Sequence, residues 1–477
     1  PIISEIDDNL IEQEHKKLKD LLKQKSEEVG SKTSFNKSLP TEISLAYRLC
    51  AQLAGLCQVS GAKRLHYYIV YKGMRIALQN DPCEHAIILY ALYGSMLAKQ
   101  GKYSEANEVA NITLELLKRY PHCADLPYVY MVLGSFVWHY NHPLRQALDL
   151  QHKAYETGYE YGDITRGVVG GYSNSIINHY AQGLPLHQLN NRLNNLTEII
   201  KKHHVKVSAG DYYRRLTSML TQPDSKNKLD ETAFSAEEWQ LIQSCVLRPF
   251  IEHLQLQWHF WNDQADLAWQ AVKAAEPVLG QMSGFVTPLE HRFIAALLAC
   301  RKLPQADVNT QEELNLTLKA SLDELKNLTA LCPENFEHKY LLLQAEHGRY
   351  QNYPVEQLAP LYEAAIDSAI ANGFLQFEAL ANELYGAFWL DKKLPKMAEG
   401  CLNEALRLYK QWGCSVKVNN LTERYQILLS DEQAKSQTQG SVQITQSRST
   451  QTRSQTQINS QEGLDLSTVM KSAQAIS

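Results

Sequence analysis

The 477-residue sequence lacks the features that mark several large classes of protein. It has no apolar run near the ~20 residues needed to cross a bilayer, and its N-terminus lacks the basic-then-apolar pattern of a signal peptide. Its nine cysteines stand singly, without a CxxC pair, so they match neither a disulfide framework nor a zinc knuckle. These absences predict a cytoplasmic protein with no membrane span, whose cysteines are reduced core thiols.

The sequence also lacks an excess of basic residues. Its formal net charge is -5, whereas nucleic-acid-binding proteins usually carry a strongly basic balance. One modest basic stretch occurs, and its residues are Lys201, Lys202, Lys206, Arg214 and Arg215. We interpret this stretch as a solvated helix face, and we expect no nucleic-acid partner.

Recognisable catalytic motifs are missing as well. The sequence contains no GxxxxGK[ST] loop, no HRD or DFG element, no HExxH and no GxSxG. Phosphoryl transfer needs backbone amides and metal-holding carboxylates gathered around a nucleotide, and this chain offers no such set. We therefore expect no catalytic residue, no cofactor and no metal within the chain.

Three groups of residues nevertheless have the side-chain chemistry of a site. His139 lies three residues before His142, and His203 is adjacent to His204, but metal binding would need further ligands. Glu290 and His291 follow Pro288 and precede an apolar helical run, so they are typical of a helix start. The aromatic cluster has helical spacing, which favours core packing over a ligand cage; it comprises Trp258, His259, Phe260, Trp261 and Trp269.

What the sequence does contain is helical periodicity. Apolar residues make up 44% of the chain and charged residues 21%, which is enough to fold a core. From 41 to 429 the apolar residues recur at spacings of three and four, and alternating runs typical of strands are scarce. Residues 1–40 read as a charged helix followed by a Gly-, Ser- and Pro-containing loop. The predicted fold is all-α.

A ladder of small residues repeats along this helical region. Gly94 precedes Ala106 by twelve residues, and Gly386 precedes Ala398 by the same interval, with Ala405 seven further on. A third copy has one extra residue inserted, and its members are Gly134, Ala147 and Ala154. Small residues at these places would let two helices of a hairpin approach closely. The ladder resembles the tetratricopeptide repeat (TPR), and this resemblance implies an α-solenoid of helical hairpins over 41–429 with a concave face.

The C-terminal part of the chain changes composition abruptly. Residues 430–463 are rich in Gln, Ser and Thr, and such a composition predicts a disordered linker. Residues 464–477 return to helical spacing, with a 3, 4, 3 pattern at Leu466, Val469, Ala473 and Ile476. We predict that this segment begins a coupling helix, which would also allow dimerisation. The chain begins with Pro1 and stops at Ser477 within this pattern, so we expect both ends to be cuts in a longer polypeptide.

Several segments together resemble one family. These are Asn372–Trp412, Gly158–Asp163 (GYEYGD), Pro288–Ala299 (PLEHRFIAALLA), the Pro143-Leu144 pair and the C-terminal LDLSTVMKSAQAIS. They look like the helical region of very large bacterial sensor kinases. The resemblance implies an upstream Ser/Thr kinase-like domain and STAND or AAA-type ATPase, and a downstream GAF domain and histidine kinase. ATP and Mg would belong to that parent protein and not to this chain.

The expected function is therefore non-catalytic. The chain would bind a protein or peptide in the concave face of the repeats and couple the flanking ATPase and kinase modules to the GAF domain, as the helical arm of a STAND protein does. Two alternatives remain open at this point: a free-standing TPR-like adaptor, and a helical enzyme with an unrecognised site.

Overall fold

The computed structural model describes residues 6–27, 40–80, 83–205, 209–222, 229, 232, 234–244, 247–426 and 428. Within these residues the regular secondary structure is helical, and no strand occurs among them. The prediction of an all-α fold is thus confirmed for the described part of the chain. Its basis is the three-and-four spacing of apolar side chains, which places them on one face of a helix.

Many of the described helices follow one another with short connections. In chain order they are α1 (Asp8–Glu27), α2 (Thr41–Val59), α3 (Lys63–Gln79), α4 (Ile87–Lys99), α5 (Tyr103–Arg119), α6 (Leu126–Phe136), α7 (Leu144–Glu160), α8 (Gly171–Gln182), α9 (Leu186–His203), α10 (Ala209–Thr221), α11 (Ala236–Ser244), α12 (Arg248–Trp261), α13 (Ala265–Ala275), α14 (Thr287–Lys302), α15 (Val308–Leu331), α16 (Pro333–Tyr350), α17 (Val355–Asn372), α18 (Leu375–Asp391), α19 (Pro395–Trp412) and α20 (Ser415–Arg424). A π-helix at Ile164–Gly170 and a 3₁₀ turn at Trp138–Tyr140 interrupt the series around α7.

Consecutive helices pack on each other as hairpins. Examples are α4 with α5, α6 with α7, α16 with α17, and α18 with α19. The turn between α17 and α18 shows how the sequence reverses the chain: Gly373 has a φ of 75°, and the amide of Phe374 donates to the carbonyl of Ala369 at 3.0 Å. A left-handed residue at this position costs glycine little, so α17 ends there and α18 can begin at once.

The helices divide into an inner and an outer set. In α4 twelve of thirteen residues are buried, and α14 and α18 are buried almost as completely. In the outer helix α19 only one stripe is buried, and it comprises Ala398, Leu402, Ala405, Leu408, Tyr409 and Trp412. A helix that is apolar all round must be covered on every side, so the inner helices contact more than their own hairpin partner. Indeed, α4 contacts α6, and α16 contacts both α14 and α18.

The small residues of the repeat ladder lie at these helix contacts. A Cβ built on Gly94 would lie 3.5 Å from the carbonyl oxygen of Ala106, and one on Gly134 would lie 2.8 Å from that of Ala147. A Cβ on Gly386 would meet Leu402 at 2.7 Å and the carbonyl oxygen of Ala398 at 3.4 Å. The alanines of the ladder are fully buried, and they are Ala106, Ala147, Ala154, Ala398 and Ala405.

Contacts between residues far apart in sequence join the two halves of this helical region. We call the contacts of residues 136–183 with residues 285–376 the seam. At the seam the side-chain amide of Asn335 donates to the carbonyls of His139 and His142, each at 2.8 Å, and its oxygen accepts from the amide of Leu144 at 2.9 Å. In a stack in which each hairpin touches only its neighbours, contacts across such separations would not form.

The seam occupies some positions on the inner helices. Phe136 packs edge-on against Phe285, with ring centroids 4.6 Å apart, and Gln376 donates to the carbonyl of Ala181 at 2.7 Å. These positions are engaged by contacts within the chain, while an open concave face elsewhere stays a prediction.

The N-terminal helix belongs to the described structure, whereas the C-terminal segment lies outside it. Residues 1–429 form one compact unit, and α1 belongs to it because it packs on α3 and Asp8 accepts hydrogen bonds from Arg64 at 2.9 Å. The predicted linker at 430–463 and the predicted coupling helix lie outside the described residues. The candidate residues of that helix, Leu466, Val469, Ala473 and Ile476, are among them.

Two glycines offer a matched test of the hairpin packing. We expect Gly134→Ala to lower the free energy of unfolding by about 1–3 kcal/mol, because its methyl group would overlap the carbonyl of Ala147. Gly94→Ala meets only ordinary contacts and should be neutral or stabilising by up to about 1 kcal/mol, since alanine favours a helix interior. Urea unfolding followed by circular dichroism measures both. Equal effects of the two substitutions would contradict this packing.

Candidate functional site

Charged side chains are buried in the middle of the unit, where the inner helices meet. Glu290 on α14 lies 3.1 Å from Lys339 on α16, and both side chains are less than a tenth exposed. The ammonium of Lys339 also lies 4.4 Å from the ring centroid of Phe377 and 4.6 Å from that of Phe374. Burial raises the pKa of Glu290 and lowers the pKa of Lys339, and in each case the partner's charge opposes that effect.

Four buried histidines lie on this and the neighbouring elements. His139 lies in the 3₁₀ turn after α6, His253 on α12, His291 on α14 and His338 on α16. Burial lowers the pKa of His139 to about 3, and burial together with Arg292 lowers that of His291 to about 3. Burial also takes the pKa of His253 and His338 well below its ordinary value. These imidazoles are therefore uncharged at neutral pH.

A small cavity at the seam is lined by the polar groups of this cluster. Its volume is about 10 Å³, and His139, Glu290, Asn335 and Lys339 contribute to its wall. Neither ring nitrogen of His139 has a hydrogen-bond partner. Such a volume is on the order of one water molecule, so no substrate fits beside these groups. The arrangement suits a polar layer that sets how the helices pack more than it suits catalysis.

A second buried ionic cluster holds the last described helix in place. Lys417 on α20 donates to Glu383 on α18 at 2.7 Å and to Asp263, in the turn after α12, at 2.8 Å. Glu383 also accepts from the hydroxyl of Tyr409 at 2.7 Å, and Arg424 lies 3.2 Å from Asp263. Burial would raise the pKa of Asp263, but the charges of Lys417 and Arg424 hold it below its ordinary value. We call these five residues the α20 clamp.

On the surface, an open groove runs between α5 and α7. Its volume is about 540 Å³, and its lining is apolar at the base and charged at the rim. The lining residues are Leu114, Leu117, Lys118, Pro121, Leu126, Tyr130, Trp138, Gln146, Asp149, Leu150 and Lys153. We call this surface the α5–α7 groove.

Trp138 is held rigidly at the base of the α5–α7 groove. Its ring stacks on that of His142 with centroids 4.0 Å apart, and its indole N–H donates to Gln146 at 3.3 Å. At the rim, the ammonium of Lys153 lies 5.8 Å from the ring centroid of Tyr130. A preformed apolar base with a few fixed polar groups is the usual character of a ligand or peptide site.

A wider hollow of about 740 Å³ lies between the start of α5 and α15. Its wall is mixed, and the polar residues Lys102, Ser104, Glu105, Glu324 and Asn327 contribute to it. Glu324 is already engaged, because it accepts from Arg292 at 2.6 and 2.7 Å. The α5–α7 groove is therefore the stronger candidate for recognition.

The residues singled out in the sequence take other roles. Glu290 and His291 lie near the start of α14, as the sequence predicted, but both are buried and Glu290 is ion-paired with Lys339. Sequence reasoning missed this pair because Lys339 belongs to a helix much later in the chain. No local signal marked the burial, because Glu290 is followed by His291 and Arg292 and stands before the apolar run that starts at Phe293.

The histidine pairs do not form a shared site. His139 is buried at the seam, whereas the Nε2 atom of His142 lies 2.9 Å from the side-chain oxygen of Asn107. His204 ends α9 with a φ of 53°, and the ring of His203 packs near that of Tyr159. Among the described residues, no group of three or more His, Cys, Asp or Glu side chains is placed to hold a metal ion.

The aromatic cluster and the basic stretch also have ordinary contacts. Phe260 and Trp261 are buried, and the indole N–H of Trp261 donates to Gln257 at 2.9 Å. In the basic stretch, Lys201 pairs with Glu198 at 3.2 Å, and Arg214 donates to Asn194 at 2.7 Å. Lys206 lies outside the described residues.

None of the described helices combines the length and the apolar character that a bilayer crossing requires. A scan against protein-family models finds no match for the chain, and a search of curated proteins finds none either.

The α20 clamp can be tested by removing its central cation. We expect Lys417→Met to lower the free energy of unfolding by about 3–5 kcal/mol, because Glu383 and Asp263 would remain buried beside each other. Adding Glu383→Gln to this variant should restore part of the loss, since one buried charge is then removed. Thermal unfolding measures both, with Lys410→Met on the exposed face of α19 as control. A Lys417→Met effect as small as the control's would rule the clamp out.

The buried histidines predict that acid destabilises the fold. The unfolded pKa of histidine is about 6.5, whereas the folded values of His139 and His291 are about 3. Between these limits the unfolded chain binds more protons. Stability is therefore fully present above about pH 6.5 and falls as the pH drops, by up to about 1.4 kcal/mol per pH unit for each such histidine.

The measurement is the urea midpoint at several values between pH 7.5 and 4.5. We expect His139→Gln to reduce the slope of stability against pH, while His187→Gln on the exposed face of α9 leaves it unchanged. An unaltered slope in His139→Gln would mean that His139 ionises equally in the folded and unfolded chain.

Proposed function

We propose that this chain is a non-catalytic, regulatory protein-interaction module, built from TPR-like hairpins whose first and second halves contact each other at the seam. The observation that carries the proposal is the α5–α7 groove. It combines the rigid Trp138 with apolar side chains and a charged rim, and it lies on the outer surface. Recognition then takes place on the outside of the hairpins, in contrast to the inner face expected from the repeat resemblance.

The partner that fits the α5–α7 groove is a short protein segment. Two or three apolar side chains would occupy the base formed by Leu114, Leu117 and Trp138. An acidic residue of the segment would approach the ammonium of Lys153, while a basic or hydroxyl side chain would approach Asp149. Aromatic anchors in fixed positions commonly carry most of the binding energy at such interfaces.

The buried charges support a regulatory role more than a catalytic one. The cavity beside Glu290 and Lys339 is too small for a substrate. In the α20 clamp the charged side chains pair with one another between helices. These clusters link α20 to α18 and to the turn after α12, so the end of the unit has a defined position. A module of this kind can transmit binding at its surface to whatever follows it in the polypeptide.

The place of this module in signalling rests on the family resemblance. It supports a parent protein in the cytoplasm with an ATPase or kinase-like part upstream and a GAF domain and histidine kinase downstream. In that setting a partner bound in the α5–α7 groove would bias the flanking modules, and ATP and Mg would serve the parent's catalytic domains.

The test starts with peptides of 12 residues selected from a display library on the whole chain. Selected peptides are synthesised with a fluorophore, and binding is measured by anisotropy. We expect Lys153→Glu and Tyr130→Ala to weaken binding at least tenfold, because one reverses the rim charge and the other removes part of the apolar wall. The matched control is Lys326→Glu on the exposed face of α15. Peptides that bind all four proteins equally would place recognition elsewhere and contradict the proposal.

A further inference from the structure

The first helix of the main helical region carries an exposed stripe of leucines. Leu45, Leu49, Leu53 and Leu56 are 53%, 53%, 45% and 66% exposed, and their spacings of 4, 4 and 3 place them on one side of α2. The opposite side of α2 is buried and comprises Tyr47, Ala51, Ala54 and Cys57. We call the four exposed leucines the α2 stripe. Single exposed leucines are ordinary, but a contiguous apolar stripe marks an interaction surface.

The composition of α2 is that of a helix covered on both sides. Among its 19 residues only Glu42 and Arg48 are charged. The inner helix α4 has a similarly apolar sequence, and it is buried because further helices pack on it from either side. In its own unit α2 contacts α3 and α4, which leaves the α2 stripe exposed.

We propose that the α2 stripe is the contact surface of a homodimer, in which α2 packs antiparallel on α2 of a second copy about a twofold axis. A twofold interface must be complementary to itself. The stripe meets this condition at its centre. A twofold axis midway between Leu49 and Leu53 places Leu49 of each copy opposite Leu53 of the other. The same axis brings Leu45 to within one residue of Leu56 of the other copy.

The charges of α2 are compatible with this pairing. With the axis between Leu49 and Leu53, Glu42 lies opposite the end of the other α2 near Ser60, so the two copies of Glu42 are kept apart. Arg48 lies opposite Ala54, and its long side chain can extend to solvent from there. No charged residue of one copy is therefore placed against its like in the other. A partner helix of different sequence would need its own matching stripe, whereas a second copy has one already.

The size of the surface sets the expected strength. A stable complex usually buries about 800 Å² on each partner, and one helix face with four half-exposed leucines is smaller than that. We therefore expect reversible self-association, with a dissociation constant on the order of micromolar. This inference does not depend on the α5–α7 groove, since it concerns another part of the surface.

The first experiment is sedimentation velocity of the whole chain over a concentration series from about 1 to 200 µM, the range that a micromolar constant requires. We expect the wild type to shift from monomer to dimer and the double variant Leu49→Glu, Leu53→Glu to remain monomeric. The control is Leu316→Glu, because Leu316 is 69% exposed on α15 and stands apart from the stripe; it should dimerise like the wild type. Circular dichroism verifies that each variant is folded.

A second experiment tests the antiparallel register. Leu49→Lys and Leu53→Glu are prepared as separate proteins, each of which should dimerise at least tenfold more weakly than the wild type. When they are mixed, residue 49 of one copy lies opposite residue 53 of the other, so a lysine meets a glutamate and a heterodimer should recover. This rescue does not depend on the double variant being folded.

Three outcomes would overturn the proposal. One is a wild type that stays monomeric over the whole range, which would mean that another surface or segment covers the stripe. Another is a dimer that the Leu49→Glu, Leu53→Glu variant retains. The third is a mixture of Leu49→Lys and Leu53→Glu that associates no better than either protein alone.

Discussion

The seam is the constraint on which the rest of the described structure depends. Inner helices that are apolar all round need neighbours on every side, and a linear row of hairpins leaves one of their faces open. The contact of residues 136–183 with residues 285–376 covers part of that face. Asn335 makes the closure specific, because its one amide satisfies two carbonyls and an amide at a turn that would otherwise be buried without partners. An apolar side chain at this position would leave all three groups unpaired.

The buried charges follow from the same closure. Once two rows of helices cover each other, any titratable group on an inner face loses its water and must find a protein partner. Glu290 finds Lys339, and Lys417 finds Glu383 and Asp263, each from a different helix. The buried histidines remain uncharged, because burial lowers their pKa. Such groups add little net stability compared with apolar residues of the same size, but they penalise any other packing of the helices, since a shifted helix would leave a charge alone.

Contacts within the chain also limit which surfaces remain available. Among the described residues, the α5–α7 groove and the α2 stripe are two apolar surfaces that stay exposed. The proposals made for this chain rest on these two surfaces.

Local sequence patterns determined much of this protein. The three-and-four spacing of apolar residues set the helices, and the ladder from Gly94 to Ala106 and from Gly386 to Ala398 indicated which helices approach closely, because both features depend only on neighbours within a hairpin. The tertiary structure alone decided that Glu290 is buried beside Lys339 and that Asn335 pairs with the carbonyls of His139 and His142. Those outcomes depend on segments such as 335–376 meeting segments such as 139–183, and no local periodicity encodes which distant helix will cover an apolar face.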